Sequence, residues 1–270
     1  MCAALRFKFS HHFPGTIWNT LAIPKNEILI IETRNDQNFQ AQFSALDFEH
    51  DKFLWKDLMM KESWWIGMTA ANENTLLFHT YINKGNPDHK NLIAFDIFNQ
   101  KVRWEIEEFS FFDWSDSEIL GYCTKDELIQ ATIDIENGTL TEKAWLVNPK
   151  GESDVPIGGT MLYVEGAPHF ETIKRFLEQK AQLQIVNAVE YLEYGEWIIV
   201  SVYLDETASL PDRQGLANYL FVFDKSGEML LQEKLGENLQ GLGVDTFFML
   251  SGCLFLVKNK SELVVYSVYD

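Results

Sequence analysis

One phrase recurs in this sequence and limits what the chain can fold into. Ala45-Leu46-Asp47 is followed eight residues after the aspartate by Trp55, and Ala94-Phe95-Asp96 is followed at the same interval by Trp104. Each copy reads as a strand ending in a small residue, an apolar residue and Asp, then a polar turn, then a second strand that carries Trp. Asp134, Asp224 and Ser267 hold related positions, so the five markers lie 49, 38, 90 and 43 residues apart. The long interval is two periods, or one period plus an insertion. A period of roughly 40 to 50 residues with four strands per unit marks a β-propeller. Such a sheet cannot bury both faces alone, so neighbours must stack.

Along the chain the strand pattern is regular in the first half. Segments 27–34, 43–58, 64–69, 75–82, 91–96 and 101–106 are β-rich, with polar turns at Asn35-Asp36-Gln37-Asn38 and at Lys84-Gly85-Asn86-Pro87. In the third unit Asn137-Gly138 supplies a tight hairpin, since both residues tolerate positive φ. There the Trp has slipped to Trp145, and Glu142 holds its expected place. Segment 147–184 breaks the rhythm. Within it 161–165 reads as a short strand and 168–180 as an amphipathic helix, with Phe170, Ile173, Phe176 and Leu177 at helical spacing and Pro168 near its start. The β pattern then resumes to the end, broken by a polar loop over 206–215.

The last unit shows only three strands, while Trp18 stands eight residues after Ser10 in an orphan strand. Residues 16–20 are therefore expected to complete the last unit and tie the termini together. The expected fold is all-β: one β-propeller domain over 1–270, with five four-stranded blades, or six if 161–184 is a reduced one. It carries a helix-bearing insertion or atypical repeat at 147–184, and the N-terminal strand closes the ring. A β-sandwich with an inserted helix is the alternative, and the regular spacing argues against it.

Composition restricts function more than it defines it. A net charge of −18 argues against nucleic acid, because a surface that tracks phosphates needs Lys and Arg to release counterions. The same charge disfavours an anionic membrane. Its plain role is to keep a chain with eight Trp and twenty Phe in solution. Cys2, Cys123 and Cys253 are far apart and form no CxxC pair, so neither a disulfide framework nor a cysteine-rich zinc site is expected. With no apolar run of signal-peptide or membrane-spanning length, the expected location is the cytoplasm.

The Asp-turn-Trp phrase resembles the repeat of the quinoprotein-dehydrogenase-like propellers, and the whole chain looks like an uncharacterised bacterial propeller family. In the quinoprotein-like repeat the motif is structural: the aromatic packs between blades and the Asp fixes the turn. Members that bind the quinone tend to be longer secreted chains, some with adjacent cysteines beside the cofactor. No such pair occurs here, so quinone chemistry is disfavoured and no cofactor is expected.

Candidate site residues are the polar ones inside strands that should be apolar. Glu32 and Arg34 share a face of one strand, as do His79 and Tyr81 of another. Glu165 ends a strand, Glu190 lies at the start of one, and Ser201 shares a face with Tyr203. If the strands line one axis, Glu32, Arg34, His79, Tyr81, Glu165, Glu190 and Tyr203 form a polar funnel. It could bind a small polar ligand or supply paired carboxylates for acid–base work. Equally, these residues could be satisfied pairs that plug a watery channel.

Other clusters carry less. Asp113, Asp116 and Glu118 lack the glycine and the alternation of a calcium loop and read as a solvated turn. His11 and His12 point apart, and His50, His89 and His169 form no spaced metal set. Trp64-Trp65 and Phe111-Phe112-Asp113-Trp114 could serve a partner or a sugar, although packing between blades explains them equally. The expected function is a non-catalytic cytoplasmic binding or scaffold module for a small polar ligand or a protein partner. The alternative is a small-molecule hydrolase or lyase that uses the funnel carboxylates.

Overall fold

The computed structural model describes residues 4–83, 86–115, 117–123, 128–145, 159–205, 215–239, 241–243 and 246–269. Cys2, Lys84 and Gly85 of one turn, Asp116, residues 147–158 of the insertion and residues 206–214 of the polar loop lie outside the described residues. The chain divides into two compact units, Pro14–Ser153 and Met1–Phe13 with Asp154–Asp270. Among the described residues the helical segments are a 3-10 turn at Pro24–Asn26 in the first unit and one α-helix in the second; the remaining elements are strands.

The N-terminal strand β1 (Ala4–His12) belongs to the second of these units. Pro14–Ser153 holds three four-stranded antiparallel sheets whose strands follow chain order. The first contains β2 (Thr16–Ile23), β3 (Ile28–Asn35), β4 (Gln40–Asp47) and β5 (Lys52–Leu58). The second contains β6 (Ile66–Ala71), β7 (Thr75–Asn83), β8 (Asn86–Asp96) and β9 (Lys101–Glu107). The third contains β10 (Phe109–Trp114), β11 (Glu118–Cys123), β12 (Ile129–Asp134) and β13 (Leu140–Glu142).

Alternation along the strands explains how these sheets stack. From the second sheet Leu76, Phe78, Ile93 and Phe95 pack with Ile28, Ile30, Phe43 and Trp55 of the first. Their sequence neighbours Leu77, Leu92 and Ala94 point the other way and pack with Phe109, Ile119, Ala131 and Ile133 of the third. The middle sheet is thus apolar on both faces. That is why Leu76-Leu77-Phe78 of β7 and Leu92-Ile93-Ala94-Phe95 of β8 are continuous hydrophobic runs instead of alternating ones.

The recurring phrase has a specific task in this stacking. Asp96 Oδ1 accepts the N–H groups of Phe98 at 3.1 Å and Asn99 at 2.8 Å, and Asp134 Oδ1 does the same for Glu136 at 3.0 Å and Asn137 at 2.9 Å. The carboxylate thereby fixes the turn that follows its strand. Trp55 stands opposite Ala45 and Trp104 opposite Ala94, where the small partner leaves room for an indole. Trp55 Nε1 donates to the Ile97 carbonyl of the second sheet at 2.8 Å, and Trp104 Nε1 donates to the Ile135 carbonyl of the third at 2.9 Å. Each Trp therefore bonds to the residue just after the next sheet's Asp.

The second unit begins with β14 (Met161–Val164) and α1 (Pro168–Ala181). Strands β15 (Val186–Tyr194), β16 (Trp197–Asp205), β17 (Leu216–Asp224) and β18 (Met229–Leu239) follow, and β14 joins them as the fifth strand of their sheet. Phe170, Ile173 and Leu177 seat the helix on Val189, Val200, Val202, Phe221 and Phe223 of that sheet. The opposite face, with Trp197, Ile199, Leu220 and Val222, packs on the last sheet through Phe247, Met249, Leu254 and Leu256.

The last sheet consists of β19 (Phe247–Leu250), β20 (Cys253–Lys258), β21 (Glu262–Tyr269) and β1, with β1 beside β21. The expectation for residues 16–20 is corrected here. Thr16–Ile23 is the first strand of the first sheet, and the strand that completes the last one is Ala4–His12. The eight-residue spacing from Ser10 to Trp18 misleads because it runs from β1 of one sheet to β2 of another, whereas in the true copies it spans two paired strands of one sheet. The place that Trp holds in the first two sheets goes to Phe9, opposite Val265 and 4% exposed.

Candidate functional site

Strand register shows which expected site residues are equivalent. Ile28, Thr75 and Trp197 each stand opposite the Asp of their own sheet. Four residues beyond them come Glu32, His79 and Ser201; six beyond come Arg34, Tyr81 and Tyr203. These polar side chains occupy one recurring pair of positions near the end of the second strand of a sheet, on the face turned to the following sheet. Of the seven expected residues, Glu32, Arg34, His79 and Tyr81 lie in Pro14–Ser153, and Glu165, Glu190 and Tyr203 lie in the other unit.

In Pro14–Ser153 the four form two pairs, Glu32 with Arg34 and His79 with Tyr81. Arg34 Nε donates to Glu32 Oε1 at 2.7 Å, Nη1 to the Trp64 carbonyl at 2.8 Å and Nη2 to the Ile66 carbonyl at 2.5 Å. Glu32 Oε2 accepts the Met68 N–H at 3.2 Å. The pair is buried, with Glu32 at 1% and Arg34 at 8% exposure. All of these backbone partners lie at the start of the second sheet, so the pair ties the first sheet to it. Burial pushes the Glu32 carboxyl above its usual range, against the pull of Arg34 and of the Met68 N–H. Tyr81, also raised by burial, feels both Arg34 and Glu32.

His79 packs edge-on against Tyr81 at 4.7 Å, and its Nδ1 lies 2.6 Å from Thr69 Oγ1. Gly67 makes room for both rings, since a Cβ there would stand 3.1 Å from the imidazole and 3.3 Å from the Tyr81 hydroxyl. Beside them the Arg34 guanidinium lies 5.5 Å from the Trp18 ring centre and 5.2 Å from that of Trp64. A cation held between aromatic rings gains from their quadrupoles. Here the protein supplies that cation itself.

The second unit uses the equivalent positions in a similar way. The Tyr203 hydroxyl accepts the Gly243 N–H at 2.7 Å and donates to the Gly243 carbonyl at 3.0 Å, so both its capacities are spent ahead of the last sheet. Glu190 stands opposite Ser201 and accepts from the Thr246 hydroxyl, from the Thr246 N–H at 3.4 Å and from Thr160 Oγ1 at 3.3 Å. Ser201 shares hydrogen bonds with Asn218, whose Nδ2 lies 2.9 Å from its Oγ. Burial raises the Tyr203 phenol, Gly243 opposes that, and Glu190 adds to it.

Glu165 does not join this network. It is exposed, in the turn after β14, and caps the Asn187 N–H at 3.2 Å. Asn218 and Thr246 are members that the sequence reading missed. Asn218 carried a signal, a polar side chain within the buried run 216–223, whereas Thr246 sits before its strand and carried none.

The remaining candidates take ordinary roles. Asp113 caps the Trp114 N–H at 2.8 Å, and Glu118 meets Lys143 at 3.2 Å. His50 is exposed and pairs with Asp47 at 2.9 Å. Among the described residues no three His, Cys, Asp or Glu side chains converge as a metal site. No described helix is long and apolar enough to cross a membrane. Cys123 and Cys253 stand as thiols.

A family model described as a domain of unknown function (DUF4905) matches residues 22–104, the first two sheets apart from most of β2 and the end of β9. No curated protein matches the sequence. Similar solved structures include a member of the DUF4221 family from Bacteroides vulgatus, at 10% identity and TM-score 0.37, covering 99% of this chain and 98% of that one. BamB from Moraxella catarrhalis gives 11%, 0.36, 98% and 100%, respectively. The β-propeller domain of the Trilobed protease from Pyrococcus furiosus gives 12%, 0.34, 94% and 82%. Likeness at this level says nothing of ligand, partner or activity.

Proposed function

We propose that the chain is a five-bladed β-propeller, closed by its N-terminal strand, that works in the cytoplasm as a non-catalytic binding or scaffold module. Five antiparallel sheets built on one phrase support the architecture, as does the pairing of β1 with β21. Unbridged thiols agree with a reducing compartment. One observation carries the functional reading: Glu32, Arg34 and Tyr203, polar residues inside the strands, are consumed as ties to backbone in or just ahead of the following sheet. Arg34 spends its donors on Glu32, Trp64 and Ile66, and Tyr203 spends its hydroxyl on Gly243. A hydrolase or lyase would need such groups to converge on substrate. The partner is then a small polar ligand or a protein held at the surface.

The test compares stability with turnover. Arg34→Met strands a buried carboxylate and should cost about 3–5 kcal/mol in denaturant unfolding, whereas Tyr203→Phe should cost about 1–3 kcal/mol. Ester, amide, phosphoester and glycoside substrates should not be turned over. A substrate whose turnover is abolished by Glu32→Gln at unchanged melting temperature would replace this reading with the enzymatic one.

A further inference from the structure

Phe39 combines two costs that proteins avoid. Its φ is 51°, in the left-handed region, and the other described non-glycine residues with positive φ are all polar. A bulky side chain is disfavoured there, and glycine or asparagine is the usual occupant. Nor does burial offset the strain, because Phe39 is 62% exposed. Strain retained at an exposed aromatic leads from the outlier to a role in recognition.

The ring does not stand alone. Phe39 meets Trp64 edge-on at 5.5 Å, Trp64 lies against the Arg34 guanidinium, and Arg34 in turn lies against Trp18, which is 66% exposed on the bulge between Ile17 and Asn19. This row is rigid from below, since Arg34 is fixed by Glu32 and two carbonyls. Glu62 Oε1 holds the Trp64 and Trp65 N–H groups at 3.0 and 2.9 Å. Preorganised rings bind without first paying to be ordered. Exposed amides flank both ends, Asn19 beside Trp18 and Gln37 with Asn38 beside Phe39.

We propose that this row, at one end of the first two sheets, binds a neutral oligosaccharide. The proposal rests on the reading of the chain as a binding module and names the ligand class. Pyranose rings present C–H faces that lie flat on aromatic rings, while their hydroxyls both donate to and accept from planar amides. Anionic ligands fit poorly: Glu32 already neutralises Arg34, and the chain carries a net charge of −18. A wholly apolar ligand would leave the flanking amides without partners.

The experiment is calorimetric titration of the full chain with cello-, xylo-, manno- and maltohexaose, with tryptophan fluorescence as a second readout. At least one should bind, and Trp18→Ala should weaken it about tenfold or more. Phe39→Gly should weaken binding as well while leaving the melting temperature unchanged or raised, because glycine accepts the backbone conformation. That combination separates loss of the site from loss of the fold. Absence of binding by all four sugars, or binding indifferent to both substitutions, overturns the assignment and leaves the module reading standing. Release of shortened sugars overturns the non-catalytic reading and leaves the saccharide assignment intact.

Discussion

The second and third sheets of Pro14–Ser153 start from the same template and end differently. Both use an Asp to fix the turn before the outermost strand, but Asp96 accepts four further bonds beyond the Phe98 N–H, from the Asn99 backbone, the Asn99 side chain and two nitrogens of Arg103. Asp134 has the two turn N–H groups of Glu136 and Asn137. The second sheet places Trp104 so that its indole reaches the third sheet. In the third sheet Thr141, opposite Thr132, takes that place on a three-residue strand, exposed throughout, and Trp145 turns back to the Gly121 carbonyl of its own sheet at 3.3 Å. The Asp makes the turn, whereas the Trp at the right interval joins one sheet to the next.

The strongest way to break this comparison is to remove a joining Trp. Trp55 is 7% exposed and is bonded to Ile97, so Trp55→Ala should cost about 3–5 kcal/mol in chemical denaturation. Trp55→Phe retains most of the ring packing and should cost about 1–2 kcal/mol, chiefly the lost hydrogen bond. Equal losses in the two variants would show that packing contributes little to the join.

Gly138 sharpens the other side of the same contact. Its φ is +73°, and a Cβ there would stand 2.6 Å from Trp104 Cγ. Gly138→Ala should destabilise by about 1–3 kcal/mol through backbone strain and displacement of the indole. In a Trp104→Ala background the steric part disappears, so the two effects should be less than additive. Full additivity would mean that the turn and the indole are independent.

Acid titration tests the Asp96 turn. The Asn99 N–H and side chain, followed by Arg103, hold the Asp96 carboxyl well below its ordinary value. A depressed folded value contributes stability that is present above the unfolded carboxylate range and is lost as pH falls toward the folded value. Stability should therefore decline from about pH 5 downward. Asp96→Asn should flatten that decline by up to one proton. An unchanged slope in Asp96→Asn would remove Asp96 from the account.

Much of the fold was legible because the phrase encodes the contacts that make it. Ala94 and Trp104 are readable as partners since one side chain must be small where the other is large. The N-terminal assignment failed for a related reason: Phe9 holds the Trp's register position without being Trp, so the true outer strand carried no marker, and Trp18 on a bulge imitated one. The polar candidates Glu32, Arg34, His79 and Tyr81 could be grouped because polar residues in an apolar strand must find partners. What partners Glu32 and Arg34 take was not legible, because they are backbone groups of Trp64, Ile66 and Met68, and any sequence supplies these. Phe39 escaped notice because its signal is a dihedral angle.

Trp145 gives the smallest expected effect and the cleanest separation of ring from join. Its indole stacks on Phe112 at 4.9 Å with planes 30° apart, and it also meets Tyr122 at 5.5 Å. Its burial is only partial, and its hydrogen bond to Gly121 stays within the sheet. An aromatic pair of this kind contributes about 0.5–1.5 kcal/mol beyond area, so Trp145→Ala should cost roughly 1–2 kcal/mol. If Trp145→Ala instead costs as much as Trp55→Ala, a large aromatic on the outer strand or just beyond it stabilises wherever it sits. The eight-residue interval would then be a by-product of strand length and not the device that joins one sheet to the next.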